Sequence, residues 1–133
     1  MSLISSDGIA CFMTSDEIPC VFLTYRLKNC EKLDDIVSAI NKKIEEIPGI
    51  YVFARKDEID KKFPYKPWLI KESNNIREDI IQYIKNSWDS YIIGIHYTHI
   101  CVMRVLERSA RQQWEIGLIS RNPPVCNHPI HHG

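Results

Sequence analysis

Several groups of side chains in this sequence have the types and spacing to do chemistry. Thr24-Tyr25-Arg26 closes a short apolar run that begins at Cys20. A hydroxyl, a phenol and a guanidinium at a strand end can hold sugar hydroxyls or a phosphate, the arginine through two parallel hydrogen bonds. His96-Tyr97 closes another apolar run. An imidazole titrating near pH ~6.5 can shuttle a proton, although a packed structural histidine is the commoner fate. Glu115 lies between Trp114 and Ile116, a setting that half-buries a carboxylate and makes it a site candidate. Residues 55–72 interleave Lys56, Lys61, Lys62, Lys66 and Lys71 with Phe63, Tyr65 and Trp68. Aromatics beside cations can stack a base and hold phosphate, but Asp57, Glu58, Asp60 and Glu72 nearly cancel the charge, so a solvated loop with a few packed aromatics is favoured. Near the C-terminus, Cys126, His128, His131 and His132 offer thiolate and imidazole ligands of the kind zinc takes. Adjacent histidines make one tetrahedral site awkward and terminal segments usually fray, so the expectation is no metal, with this cluster as the weak candidate. Cys101 is near His96 and His99, yet its apolar neighbours mark an inert thiol rather than a nucleophile.

The chain that must position these groups has 133 residues, seventeen basic and seventeen acidic, with formal net charge zero. That length fits one domain, and 44% hydrophobic with 26% charged residues is ordinary globular usage. Disordered tails, collagen-like repeats and disulfide miniproteins are excluded. Zero net charge gives no general pull towards nucleic acid, and it favours self-association, so a homo-oligomer is expected. No apolar run reaches the roughly 18 residues of a membrane span. The N-terminus does not read as a secretory signal. Five cysteines without CxxC spacing read as thiols in a reducing cytoplasm.

Periodicity gives the elements. Residues 21–25 read as a strand apolar on both faces. Leu33, Ile36, Val37, Ile40, Ile44 and Ile47 follow helical spacing, with Pro48-Gly49 as the stop. Residues 50–54 are a second strand. Residues 55–72 read as irregular, since Pro64 and Pro67 oppose a regular element. A helix starts at Asn75, which with Glu78 makes a capping box. Residues 91–96 read as a third strand. Alternation from Tyr97 to Leu106 would extend it, but a loop and then a helix over at least 110–119 is preferred. Strands alternating with helices predict an α/β fold: a flavodoxin-like three-layer sandwich with a short, mostly parallel sheet of order 2-1-3 and helices on both faces. Residues 1–19 are an arm or extra strand, 20–120 the domain and 121–133 a proline- and histidine-rich tail. In such a sheet the ligand crevice lies beyond the carboxyl ends of the first and third strands. That brings Thr24, Tyr25 and Arg26 beside His96 and Tyr97, within reach of Glu115.

At these residues the sequence resembles the Toll/interleukin-receptor (TIR) domain and the nucleoside 2-deoxyribosyltransferase-like proteins. Val21-Phe22-Leu23-Thr24-Tyr25 is similar to the first TIR motif. Residues 76–95 look like the helix–serine–strand segment of both groups, and Arg111 to Gly117 resembles the segment carrying their catalytic glutamate. The resemblance implies cleavage or transfer at an N-glycosidic bond, with NAD or a nucleoside or nucleotide as substrate and no bound cofactor. Glu115 would then stabilise the oxocarbenium-like cation on ribose or attack it. Through the resemblance alone, Trp68 stays a base-stacking candidate. The same resemblance allows a non-catalytic module that binds a protein or a nucleotide. A small immunity or inhibitor protein sharing only an α/β core is the third reading.

Overall fold

The computed structural model describes residues 2–126. Its elements, in chain order, are β1 (Ile4–Met13), β2 (Pro19–Leu27), α1 (Leu33–Lys43), β3 (Gly49–Lys56), β4 (Tyr65–Ser73), α2 (Ile76–Ser87), a short kinked turn α3 (Ile92–Ile95), β5 (His99–Arg104) and α4 (Arg108–Arg121). The strands form one five-stranded sheet in the order β1-β2-β5-β3-β4, and every neighbouring pair is antiparallel.

This overturns the expected flavodoxin-like sheet with parallel strands in the order 2-1-3. The strand at 21–25 was expected to pair with 50–54 and 91–96; its actual neighbours are β1 and β5. The physical reason lies in the helices. Strands apolar on both faces were taken to signal a parallel sheet, but the signal reports only that both faces are covered. Here α1 and α2 cover one face through Ile36, Ile40, Ile76, Ile80 and Ile84, packed on Tyr51, Phe53, Ile100 and Val102. The other face packs Phe12, Phe22, Ile50, Val52 and Cys101 with Leu118 and Trp114 of α4. Every position of β3 from Gly49 to Ala54 is consequently buried.

Residues 4–13 form a full edge strand, the extra strand allowed for at the N-terminus; the β1–β2 connection over residues 14–18 turns with Glu17 at φ 60°. Two other segments differ from expectation for local reasons. Residues 65–73 form the other edge strand despite Pro67, because an edge tolerates a residue with no N–H. There Leu69 faces Phe53 and Pro67 faces Ala54, so Trp68 is the extra residue of a bulge. Residues 91–96 are not a strand. Gly94 at φ +101° breaks the run, and the strand lies next door at 99–104. The helices follow their periodicity. Asn75 Oδ1 accepts the Glu78 N–H at 3.1 Å and caps α2, and α4 contains the expected 110–119. No helix among the described residues is long and apolar enough to cross a membrane.

Candidate functional site

One end of the sheet gathers its polar side chains into a row. Antiparallel register sets Arg26 of β2 opposite His99 of β5, His99 opposite Ala54 of β3, and Lys56 of β3 opposite Tyr65 of β4. Asp7 of β1 completes the row: its Oδ2 lies 2.8 Å from His99 Nε2. Beside this row is a cleft of about 590 Å³. Asp7, Arg26, Lys56, Thr98 and His99 line it together with Ser5, and no residue of α4 reaches it.

His99 is 3% exposed and both ring nitrogens are engaged. Asp7 takes Nε2, and the Thr98 hydroxyl lies 2.7 Å from Nδ1. A carboxylate only accepts, so Nε2 carries the hydrogen and Nδ1 accepts from Thr98. Thr98 Oγ1 in turn accepts the Lys56 N–H at 3.2 Å. Burial holds the His99 pKa below its ordinary 6.5, partly opposed by the hydrogen bond and charge of Asp7. The folded protein thus keeps His99 neutral where the unfolded chain protonates it. The unfolded state binds more protons below pH ~6.5, so stability should fall as pH drops through that value. Urea midpoints at pH 5 and 7.5 check this: the acid loss should be smaller in His99→Gln, and an equal loss in both proteins would show that another group is responsible.

The sequence-predicted residues are scattered between this cleft and other parts of the sheet. Arg26 lines the cleft. Thr24 is buried, its hydroxyl 3.8 Å from Cys101 Sγ. Tyr25, next along β2, faces the α1 side, where burial and then Glu45 raise its pKa. Tyr97 is wholly buried, stacked at a tilt on Phe53 with centroids 4.6 Å apart, and its hydroxyl has no partner among the described residues. Trp68 and His96 do meet, but on each other: the rings stack at 4.4 Å and 14°. Trp68 Nε1 also donates to Tyr83 Oη at 2.7 Å, and neither Trp68 nor His96 lines the cleft. Burial pushes the Cys101 thiol up to about 12, in keeping with an inert group.

Glu115 sits at the opposite edge. Its Oε2 accepts the Glu72 N–H of β4 at 2.7 Å, a group that would otherwise face outward from the edge strand. Beside it, Arg111 is buried, its Nε 3.0 Å from Glu72 Oε2 and its Nη1 2.7 Å from the Leu106 carbonyl. Glu115 is therefore tied into a clamp between α4 and β4. The strands β3 and β5 stand between β4 and the Tyr25-Arg26 strand, a separation of about 14 Å at ordinary strand spacing. Of the weak metal cluster, Cys126 donates its N–H to the Trp68 carbonyl at 2.8 Å and its Sγ lies 3.6 Å from Tyr83 Oη. His128, His131 and His132 lie outside the described residues. Among the described residues no group of three or more histidines, cysteines or acids is placed to hold a metal.

Asp7, Lys56, Thr98 and His99 had not been assembled into a site from sequence. The alternation from Tyr97 to Leu106 was the available signal, since a strand there puts His99 in a sheet.

No family model, no curated protein and no solved structure matches this chain. The TIR resemblance therefore rests on its short motifs alone, and the parallel sheet expected from the alternation of strands and helices is absent among the described residues.

Proposed function

We propose that the protein is a nucleotide-binding module whose site is the cleft at the Asp7–Arg26–His99 end of the sheet. One observation carries this reading: Arg26 and Lys56 line the same cleft as a buried hydrogen-bonded histidine. The Arg26 side chain makes no hydrogen bond or ion pair among the described residues, so its planar fork of donors is available for phosphate. The volume is in the range that small ligands fill, and Ser5 and Asn29 offer partners for sugar hydroxyls. Cleavage at an N-glycosidic bond asked for Glu115 beside Tyr25 or Arg26. With Glu115 across the sheet, binding is the better supported of the two readings.

Calorimetric titration with adenosine diphosphate tests it. Arg26→Ala should weaken binding by at least about tenfold, the loss expected for one charged hydrogen bond. Equal affinity in the two proteins, or no binding to the wild type, would remove the proposal.

Self-association belongs to the same proposal. On the β1–β2 hairpin, Ile9 faces Leu23 and Cys11 faces Val21, and Ile9, Val21 and Leu23 are each more than half exposed. Four neighbouring side chains without cover on one sheet face are what an interface between copies would use.

A further inference from the structure

The geometry points to an acyl-transfer activity in this cleft, in which Thr98 takes the acyl group of an acyl phosphate, His99 acts as base and Asp7 positions His99. This rests on the anion-binding reading above, because Arg26 and Lys56 are the groups that would receive the phosphate.

The hydroxyl, imidazole and carboxylate form one continuous hydrogen-bonded line, 2.7 Å from Thr98 Oγ1 to His99 Nδ1 and 2.8 Å from Nε2 to Asp7. Those are the contacts a weak hydroxyl nucleophile needs: a base within hydrogen-bond reach, itself held by a third group. The order of the two ring nitrogens along the line does not alter that chemistry. The buried, neutral imidazole is in the form that accepts a proton.

Thr98 is also held rigidly. Its N–H donates to the Ala54 carbonyl at 2.9 Å, its own carbonyl accepts from Leu27 N–H at 2.8 Å, and Oγ1 accepts from Lys56 N–H. The hydroxyl therefore has its hydrogen directed to His99 and one lone pair left, at a half-buried position lining the cleft. A network of purely structural use would be expected to close on itself away from solvent. This one ends on the wall of a cleft whose lining also includes Arg26 and Lys56, with Glu58 beside them, and the Lys56 ammonium lies over the Tyr65 ring at 5.5 Å.

In the first step Thr98 Oγ adds to the acyl carbon, the bond from that carbon to the phosphate oxygen breaks, and the Thr98 proton passes through His99 to the departing phosphate. Hydrogen phosphate leaves against Arg26 and Lys56. In the second step water gives a proton to His99 and adds at the acyl carbon. Thr98 Oγ departs, recovers the proton from His99, and the carboxylic acid is released. No oxidant, reductant or metal enters the balance.

Acetyl phosphate is the probe for turnover, read as phosphate release with mass spectrometry of the protein, and acetyl phosphonate, which cannot be cleaved at that position, is the probe for binding. Wild type should release phosphate and carry an acetyl group on the peptide containing Thr98. Thr98→Val and Asp7→Asn should each lose at least about a hundredfold of the rate, the scale of general acid–base assistance, while still binding the phosphonate. Asp7→Asn keeps the test open if Thr98→Val does not fold. Phosphonate binding without phosphate release above buffer would overturn the acyl-transfer proposal and leave the binding reading standing. Failure of the phosphonate to bind would overturn the acyl-transfer proposal, while the nucleotide-binding reading stands or falls on the adenosine diphosphate titration. Acetylation elsewhere, or full turnover in Thr98→Val, would overturn the role of Thr98.

Discussion

Gly49→Ala is expected to destabilise the protein by about 3 kcal/mol, the upper part of the range for forcing extra volume into a packed interior. A β-carbon at this position would stand 2.0 Å from the Met103 carbonyl oxygen and 2.9 Å from Ile76 Cδ1. The isoleucine can turn away, but the carbonyl belongs to the central strand and cannot yield without moving β5. Gly49 pairs with Arg104 in that strand, and the neighbouring Val105 N–H donates to the Pro48 carbonyl at 3.1 Å, so the backbone is held on both sides of the contact. Thermal unfolding should shift down by roughly 10 °C for a domain of this size. A midpoint within a degree or two of wild type would mean that β3 and β5 can separate at this end without cost.

Phe53→Ala should cost about 3–5 kcal/mol, as for other buried aromatics truncated to a methyl group. Phe53 has no exposed surface and meets three aromatic rings, with centroids 5.9 Å from Tyr51, 4.8 Å from Tyr83 and 4.6 Å from Tyr97. Removing its ring leaves those three side chains, carried on β3, α2 and the segment before β5, without their common neighbour. Urea unfolding followed by circular dichroism reads the loss. A cost below about 1 kcal/mol would show that the surrounding tyrosines collapse into the space.

The helices were legible because their signals are local. The apolar spacing of Ile36, Ile40 and Ile44, the Asn75 cap and the helix expected over 110–119 each rest on residues within a few turns of one another. The strand at 19–27 was legible too. Pairing was not, because it depends on residues far apart in sequence: nothing near Thr24 says that Cys101 lies across from it. Gly49 shows how a correct local signal can carry the wrong cause. Pro48-Gly49 was read as the helix stop, but α1 ends at Lys43 with Ile44 already extended, and the glycine is required by the strand it begins. Of the site, only Arg26 keeps a place in the cleft: His96 and Tyr97 were expected beside it, but the antiparallel pairing puts His99 opposite the arginine, while His96 stacks on Trp68 and Tyr97 is buried against Phe53. Asp7 was not included because nothing local to residues 4–13, an arm or extra strand by sequence, says which strand they pair with. Glu115 had the half-buried character expected of it, but that character comes from an edge-strand N–H.

The place of β5 in the sheet has a consequence for how the chain assembles. The two halves made first, β1–β2 and β3–β4, are hairpins closed by local turns, and they share no backbone hydrogen bond with each other: the strand between them is the last to be synthesised. Until His99–Arg104 has been added, β2 and β3 each present an inner edge with nothing to pair it, and the two faces of apolar side chains have no common floor. The sheet is thus closed in the manner of a keystone rather than grown strand by strand. The contacts that complete it join residues far apart in the chain, Thr24 with Cys101 among them, the kind of pairing that carries the largest loop-closure cost. A chain that ends before residue 99 is two ribbons with four open edges, and the same late strand that joins them also carries the histidine of the cleft. The polar row across the sheet therefore requires that strand to be in place.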